Sequence, residues 1–423
     1  MSNSVAPTPG AAVSQDRQWD RLMQMAEIGA IPGEGVNRAC LTPLDREARR
    51  LLIGWAQAIG LSVSVDPIGN LFLRHEGSDP EAAPVLTGSH MDTQPNGGRF
   101  DGIWGVIAGL EAVQAIRESG TPIQRPIEIV AWTNEEGGRF APGCMGSMAW
   151  SGDKPANTWD AVTDPQGVTF KQALLEHQQA EADLPRRTLG PAAGGPKPAF
   201  YLEAHIEQGP RLEAEEMDIG VVTGIQGSRW FVVELRGETA HAGTAPLGLR
   251  KDAVQDMIRA ITALNALMTD PQDVLRFTVG RIEVSPNTSN SVADLVRFTI
   301  DFRHPDKDVL LMNGDAVENT VRGAVKHCEV TVTERFHALP VEFDAVVQNA
   351  VEDAATAQGL KTLRLPSGAF HDAQFMVPIC PTGMLFVPCR KGISHNPAEY
   401  SSPEQLAAGA RVLAAALAEL ANR

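Results

Sequence analysis

The sequence is short of several features that would narrow its class at once. No apolar run in its 423 residues approaches the roughly 20 needed to span a bilayer, so no membrane partner is expected. Basic residues are in deficit, with Lys+Arg 36 against Asp+Glu 52 and a net charge of -16. That balance argues against nucleic acid or an anionic membrane as the main partner. Cysteines are few: Cys40, Cys144, Cys328, Cys380 and Cys389 are scattered, and none forms a CxxC pair. They read as reduced thiols in a cytoplasmic protein. The opening MSNSVAPTPGAAVSQ lacks the basic start and apolar centre of a secretory signal, and residues 1–18 are expected to be a disordered tail.

What is present fits a globular enzyme-sized chain, with 43% hydrophobic and 21% charged residues. Its length calls for two domains. A helix is expected from Trp19 to Gly29, and another after Thr42-Pro43, with Ala48, Leu51, Leu52, Trp55 and Ile59 on one face. Short strands then alternate with helices, among them Arg125 to Thr133, as in an α/β core with a mixed, mostly parallel sheet. Residues 151 to 199, rich in Pro, Gly and Ala around one helical piece at Phe170 to His177, read as surface structure. Between 221 and 335 the order becomes β-α-β-β-α-β, the ferredoxin-like split arrangement. The expected division is therefore 19–220 and 336–423 for a catalytic domain and 221–335 for an insert.

The densest chemistry lies in LTGSHMDTQPNGGRFDGIWG, residues 86 to 105. His90, Asp92 and Asp101 are spread over a Gly-rich turn between a buried strand and a helix. Imidazole and carboxylate at the carboxyl end of such a strand suggest a metal site with N and O ligands. The plainer reading makes Asp101 a helix cap and His90 a core histidine. His90 and Asp101, with Glu136, His205 and His395, make five potential ligands at or just after strand ends. A dinuclear site needs a carboxylate bridging two cations about 3.5 Å apart, terminal ligands, and a base that does not bind metal. Neighbouring Glu135 and Glu136 suit that division, because adjacent side chains leaving a strand point apart. A solvated turn is the bland alternative for this pair.

Five segments in matching order, GSHMDTQPNGGRFDG, WTNEEGGRFAP, EAHIEQGPRLE, HAGTAPLGLRKDA and GISHNPAEY, resemble the hydantoinase/carbamoylase family. These are amidases among the aminoacylase and carboxypeptidase-type dinuclear zinc hydrolases. They include N-carbamoyl-L-amino acid hydrolases, β-ureidopropionases and allantoate amidohydrolases. The resemblance makes Asp101 the bridging carboxylate, with Glu136 and His395 on one metal and His90 and His205 on the other. It implies two divalent ions, zinc foremost, with manganese, cobalt or nickel as alternatives. Glu135 becomes general base and then acid, and Asp92 a carboxylate orienting His90. In related peptidases a carboxylate usually stands at the position of His205, so EAHIEQG favours the amidase branch.

The same resemblance makes the insert a lid and dimerisation domain. His241 looks like an oxyanion-stabilising histidine that reaches the partner subunit's site, which implies a homodimer. Asn290 and Arg303 look like the pair that grips a substrate carboxylate; Gln94 and Gln208 look like polar substrate contacts. Plainer roles are a turn histidine for His241 and a sheet-edge charge for Arg303. Gly368 lies in PSGAFHDAQ, where the family usually carries glycine in place of Phe370, which puts a bulky ring near the expected pocket. The implied activity is hydrolysis of a linear C–N bond in a small N-carbamoyl or similar N-acyl amino acid. The alternatives are allantoate, a β-ureido acid, an unusual amide, or a non-catalytic binding relative.

Overall fold

A computed structural model describes residues 8–423. The chain divides into two compact units, one formed by Gly224–Val341 and the other by the rest of the described chain.

The larger unit is built on a mixed sheet. Its order runs Ile219–Ile225, Thr382–Val387, Phe200–Ile206, Val85–His90, Ile127–Trp132, Leu71–His75 and Ser62–Val65, with Thr362–Ser367 paired to the first of these. The four strands from Thr382–Val387 to Ile127–Trp132 are mutually parallel, so their carboxyl ends share one edge of the sheet. Each of those four is buried along almost its whole length, which explains why they read as apolar runs rather than as alternating patterns. Val85–His90 leads into the helix Ile103–Ser119, which returns the chain to Ile127–Trp132 on one side, whereas Phe200–Ile206 lies on the other. That divergence is the kind of switch point at which open α/β sheets hold their ligands.

The helix Ile103–Ser119 is buried on nearly every face, so it shows little amphipathic signal. It packs with the C-terminal helix Pro403–Leu420, whose start is fixed by a capping box between Ser402 and Gln405. Among the described residues no helix is long and apolar enough to cross a membrane.

Two expectations need correction here. Residues 1–7 of the expected tail lie outside the described residues, but order begins well before Trp19. Ser14 caps a helix over Gln15–Glu27 by accepting from the Arg17 N–H, and Arg17 forms an ion pair with buried Glu111. The stretch 151 to 199 is not simply surface either. Trp159 and Phe170 are buried with Phe140, Met145 and Ile68 in a small separate core. Glu181 forms a two-bond buried ion pair with Arg49. Abundant Pro, Gly and Ala had hidden a few well-spaced anchors.

The smaller unit contains four antiparallel strands in the order Arg276–Ser285, Leu295–His304, Gly227–Arg236 and Glu329–Ala338. Two helices, Ala253–Leu267 and Lys307–Ala324, complete the β-α-β-β-α-β sequence. Alternate strand residues Phe231, Val233 and Leu235 pack with Val296, Phe298 and Ile300 against Leu264 and Val317.

Candidate metal centre

The edge formed by the four carboxyl ends gathers the ligand candidates. His90 ends its strand, His205 is the penultimate residue of its own, and Glu135 and Glu136 follow Trp132. His395 arrives on the loop after Val387. Asp101 precedes the helix Ile103–Ser119 but does not cap it: the capping position belongs to Gly102, and no side chain closes that end. Gly102 holds a left-handed φ of 65°, and a Cβ there would lie 2.2 Å from the His90 ring. Only glycine lets the turn press against the imidazole.

Asp101 sits between two groups of donors. Its Oδ1 is 3.2 Å from His205 Nε2 and 3.9 Å from His90 Nε2. Its Oδ2 is 3.3 Å from His395 Nε2, which is also 3.3 Å from Glu136 Oε2. Within each trio, His90–Asp101–His205 and Asp101–Glu136–His395, the ligand atoms lie within 4.8 Å of one another. The two buried histidines are oriented alike. His90 Nδ1 faces the Asp92 carbonyl at 2.9 Å, and His205 Nδ1 faces the Ile206 carbonyl at 2.9 Å. A carbonyl can only accept, so each Nδ1 carries a proton and each Nε2 presents a lone pair toward Asp101.

The electrostatics fit cations. Burial pushes the Glu136 carboxyl up to about 8, reinforced by Asp101, and burial pushes Asp92 up to about 7. Glu135 rises well above the carboxylate range through burial and the charges of Asp372, Glu136 and Asp92. Burial also acts to raise Asp101, but the His205 and His395 imidazoles beside its two oxygens outweigh it and hold that group well below its ordinary value. Burial pulls His90 down to about 4, which keeps it neutral and able to ligate. Carboxylates crowded in so little space favour a divalent cation, which would restore their ionised forms.

Residues 86–419 match the family described as Peptidase family M20/M25/M40. The chain belongs to that family. It is 40% identical over 423 residues to an N-carbamoyl-L-amino-acid amidohydrolase of Rhizobium meliloti, covering 99% of each chain. It is 33% identical to an allantoate amidohydrolase of Bacillus subtilis, covering 95% of this chain and 97% of that one. A crystal structure of a hydantoinase/carbamoylase family amidase from Burkholderia multivorans superposes with a TM-score of 0.88 at 41% identity, covering 97% of this chain and 98% of that one. The fold and the family resemblance expected from the motifs are thus both found.

Within this M20/M25/M40 scaffold some expected partners fall elsewhere. The Asp92 carboxylate does not hold His90: its nearer oxygen is 3.7 Å from Nδ1, beyond hydrogen-bonding distance, and the backbone carbonyl takes that role. Its two oxygens instead accept the backbone N–H groups of Glu135 and Glu136, each at 3.2 Å. Gln94 faces inward and donates to Glu136 Oε2 at 2.8 Å, and Gln208 donates to Asp101 Oδ2 at 3.1 Å. In this structure both amides brace metal-ligand candidates. Gly368 is exposed and Phe370 half-buried. Next to Phe370, buried His371 brings its ring within 4.5 Å of the His205 ring.

Glu135 stands beside the ligands, with Oε2 3.4 Å from His90 Nε2. Its backbone carbonyl accepts from Cys144 N at 2.9 Å, and its Oε1 lies 3.6 Å from the Cys144 thiol. In the smaller unit, His241 and Asn290 lie on neighbouring exposed segments joined by Ala242 N to the Asn290 carbonyl at 3.0 Å. Arg303 donates to Asp301 at 2.8 Å.

Sequence reasoning passed over Glu203, which accepts from Ser89 Oγ, Tyr201 Oη and Ala373 N beneath the site. It also passed over Asp372, which accepts from Ser147 Oγ. A buried carboxylate that binds backbone N–H groups and hydroxyls from distant segments leaves no local pattern to read.

Proposed function

We propose that this chain is a metal-dependent amidohydrolase that cleaves the linear C–N bond of an N-carbamoyl-L-amino acid. Two divalent ions, zinc foremost, would be held by His90, Asp101 and His205 and by Asp101, Glu136 and His395. The observation that carries this reading is the divergence of Asp101, whose two oxygens face separate ligand sets. The named activity of the Rhizobium relative supports the substrate class.

Cations bound there would polarise the scissile carbonyl and lower the pKa of the attacking water. Glu135 is half-buried beside the ligands without completing either set, with Oε2 3.4 Å from His90 Nε2, which suits a base that does not itself bind metal. It removes a proton from water and returns it to the leaving nitrogen. An N-carbamoyl amino acid would thus yield the free amino acid, ammonia and carbon dioxide. His241 Nδ1 accepts the Gly243 N–H at 3.0 Å, so its proton lies on Nε2, where it can stabilise an oxyanion. Arg303 and Asn290 bind the substrate carboxylate, Arg303 through its planar fork. The inserted unit acts as a lid and joins two copies in a homodimer, with His241 serving the partner subunit's site. Five unpaired cysteines support a cytoplasmic location.

The test measures ammonia and free amine released by metal-loaded protein. The panel holds N-carbamoyl-L-amino acids, N-carbamoyl-β-alanine, allantoate, and N-acetyl and N-formyl amino acids. Release from an N-carbamoyl-L-amino acid is expected, with a chelator abolishing it. Glu135→Gln should lower it about 10³-fold at unchanged ion content. Preference for allantoate or N-carbamoyl-β-alanine would keep the chemistry and overturn the substrate. Silence with two ions bound would point to an unusual amide shaped by Phe370, and silence with none bound to a non-catalytic relative.

A further inference from the structure

Glu399 is 1% exposed, and no part of the mechanism above uses it. It lies four residues beyond His395 on the same loop, yet its carboxylate reaches the segment that precedes Asp101. Oε1 accepts the backbone N–H groups of both Phe100 and Asp101, each at 3.0 Å. Oε2 lies 2.8 Å from Ser394 Oγ, and Ser394 is the residue immediately before His395. The same hydroxyl is 3.1 Å from Asp101 Oδ2, which closes a ring of contacts from Glu399 to the Asp101 backbone, through its carboxylate and back by Ser394. Gly98 makes the approach possible, because a Cβ there would sit 2.1 Å from the Glu399 carboxylate.

These contacts do two things together. Two N–H bonds to one oxygen fix the backbone of Asp101, and with it the direction in which its side chain leaves the turn. The Ser394 bond fixes the loop that carries His395 to the same anchor. Asp101 belongs to both ligand sets and His395 to one, so a single carboxylate sets the distance between a shared ligand and a terminal one. An acidic side chain beside Asp101 adds like charge to a crowded site, so its presence calls for a role beyond packing.

We propose that Glu399 is a positioning residue that holds Asp101 with its two oxygens divergent and locks the His395 loop to that geometry. The proposal rests on the two-ion reading above, and its test reads ion binding rather than amide turnover. Metal-stripped full-length protein is titrated calorimetrically with Zn²⁺, and the visible spectrum of the Co²⁺-loaded protein reports coordination geometry. Glu399→Ala is expected to weaken Zn²⁺ binding about 10- to 100-fold at both sets and to alter the Co²⁺ bands. Glu399→Gln should restore binding to within about threefold, because its amide oxygen still accepts both N–H groups while its NH₂ donates to Ser394. Ser394→Ala cuts the tie to the His395 loop and the contact to Asp101 Oδ2, the oxygen that faces His395, and should weaken chiefly the binding event of the Asp101–Glu136–His395 set. It tests the same tie if Glu399→Ala does not fold.

Wild-type Zn²⁺ affinity and Co²⁺ bands in folded Glu399→Ala would overturn the proposal. So would two unchanged binding events in Ser394→Ala. Wild-type protein that binds no ion would instead sink the two-ion reading, and this inference with it. Two tightly bound ions without amide turnover would count only against the proposed activity.

Discussion

His90 and Asp92 face each other through two groups, and only one of the contacts is a hydrogen bond: the Asp92 carbonyl meets Nδ1 at 2.9 Å while its carboxylate stays 3.7 Å away. The carboxylate is committed to the N–H groups of Glu135 and Glu136. Its removal should therefore disturb the glutamate pair rather than the histidine. Asp92→Ala is expected to lower turnover about 10- to 100-fold and to weaken the ion bound by Glu136 and His395, with the His90–His205 ion retained. Metal analysis after graded chelation checks this, and selective loss of the His90–His205 ion would contradict it.

The Arg49–Glu181 pair makes a separate prediction about stability. Both partners are buried and joined by bonds of 2.7 and 2.8 Å. Glu181→Gln leaves the guanidinium without its counter-charge and should cost about 3 kcal/mol in urea unfolding. A cost below about 0.5 kcal/mol would place the pair with ordinary exposed bridges.

Asp256, in the inserted unit, gives a pH dependence. Burial acts to raise its carboxyl, but N–H bonds from Lys326 and His327 and the Arg259 guanidinium outweigh it, and the folded value falls to about 2 from 3.8. A depressed carboxylate stabilises the fold above its unfolded value, and that contribution is lost as pH falls through the folded one. Asp256→Asn should therefore melt below wild type at neutral pH. The difference in Tm should narrow between pH 3.8 and about 2. A constant gap across that range would show that the charge carries no weight.

The proposed exchange of His241 between copies can be read by complementation. Chains carrying His241→Ala and chains carrying Arg303→Ala should each be nearly inactive. Purified heterodimers of the two should regain about half of wild-type turnover, because one site receives both intact residues, with loss of an oxyanion donor otherwise costing about 10²- to 10³-fold. Heterodimers as inactive as either parent would remove His241 from the partner's site.

Much of the fold and the identity of the five ligand candidates were legible in the sequence. Buried parallel strands read as short apolar runs, and their ligands sit at or just beyond the strand ends, so His90, Glu136 and His205 stood out by position. The order of strands and helices in the insert was legible for the same reason. What stayed hidden were contacts between segments far apart in the chain. Glu399 and Asp92 work through backbone N–H groups, which have no sequence signature, and Gln94 and Gln208 offered no clue that their amides would turn toward carboxylates. The sparse anchors Trp159 and Phe170 were likewise diluted by their polar surroundings.

The placement of the insert has a consequence for how the centre is assembled during synthesis. His90, Asp101 and His205 all precede Gly224, so the first ligand set is complete before the inserted unit emerges. His395 follows that unit, and the second set cannot close until the whole insert has been made. The growing chain thus carries every residue of one set long before the last residue of the other.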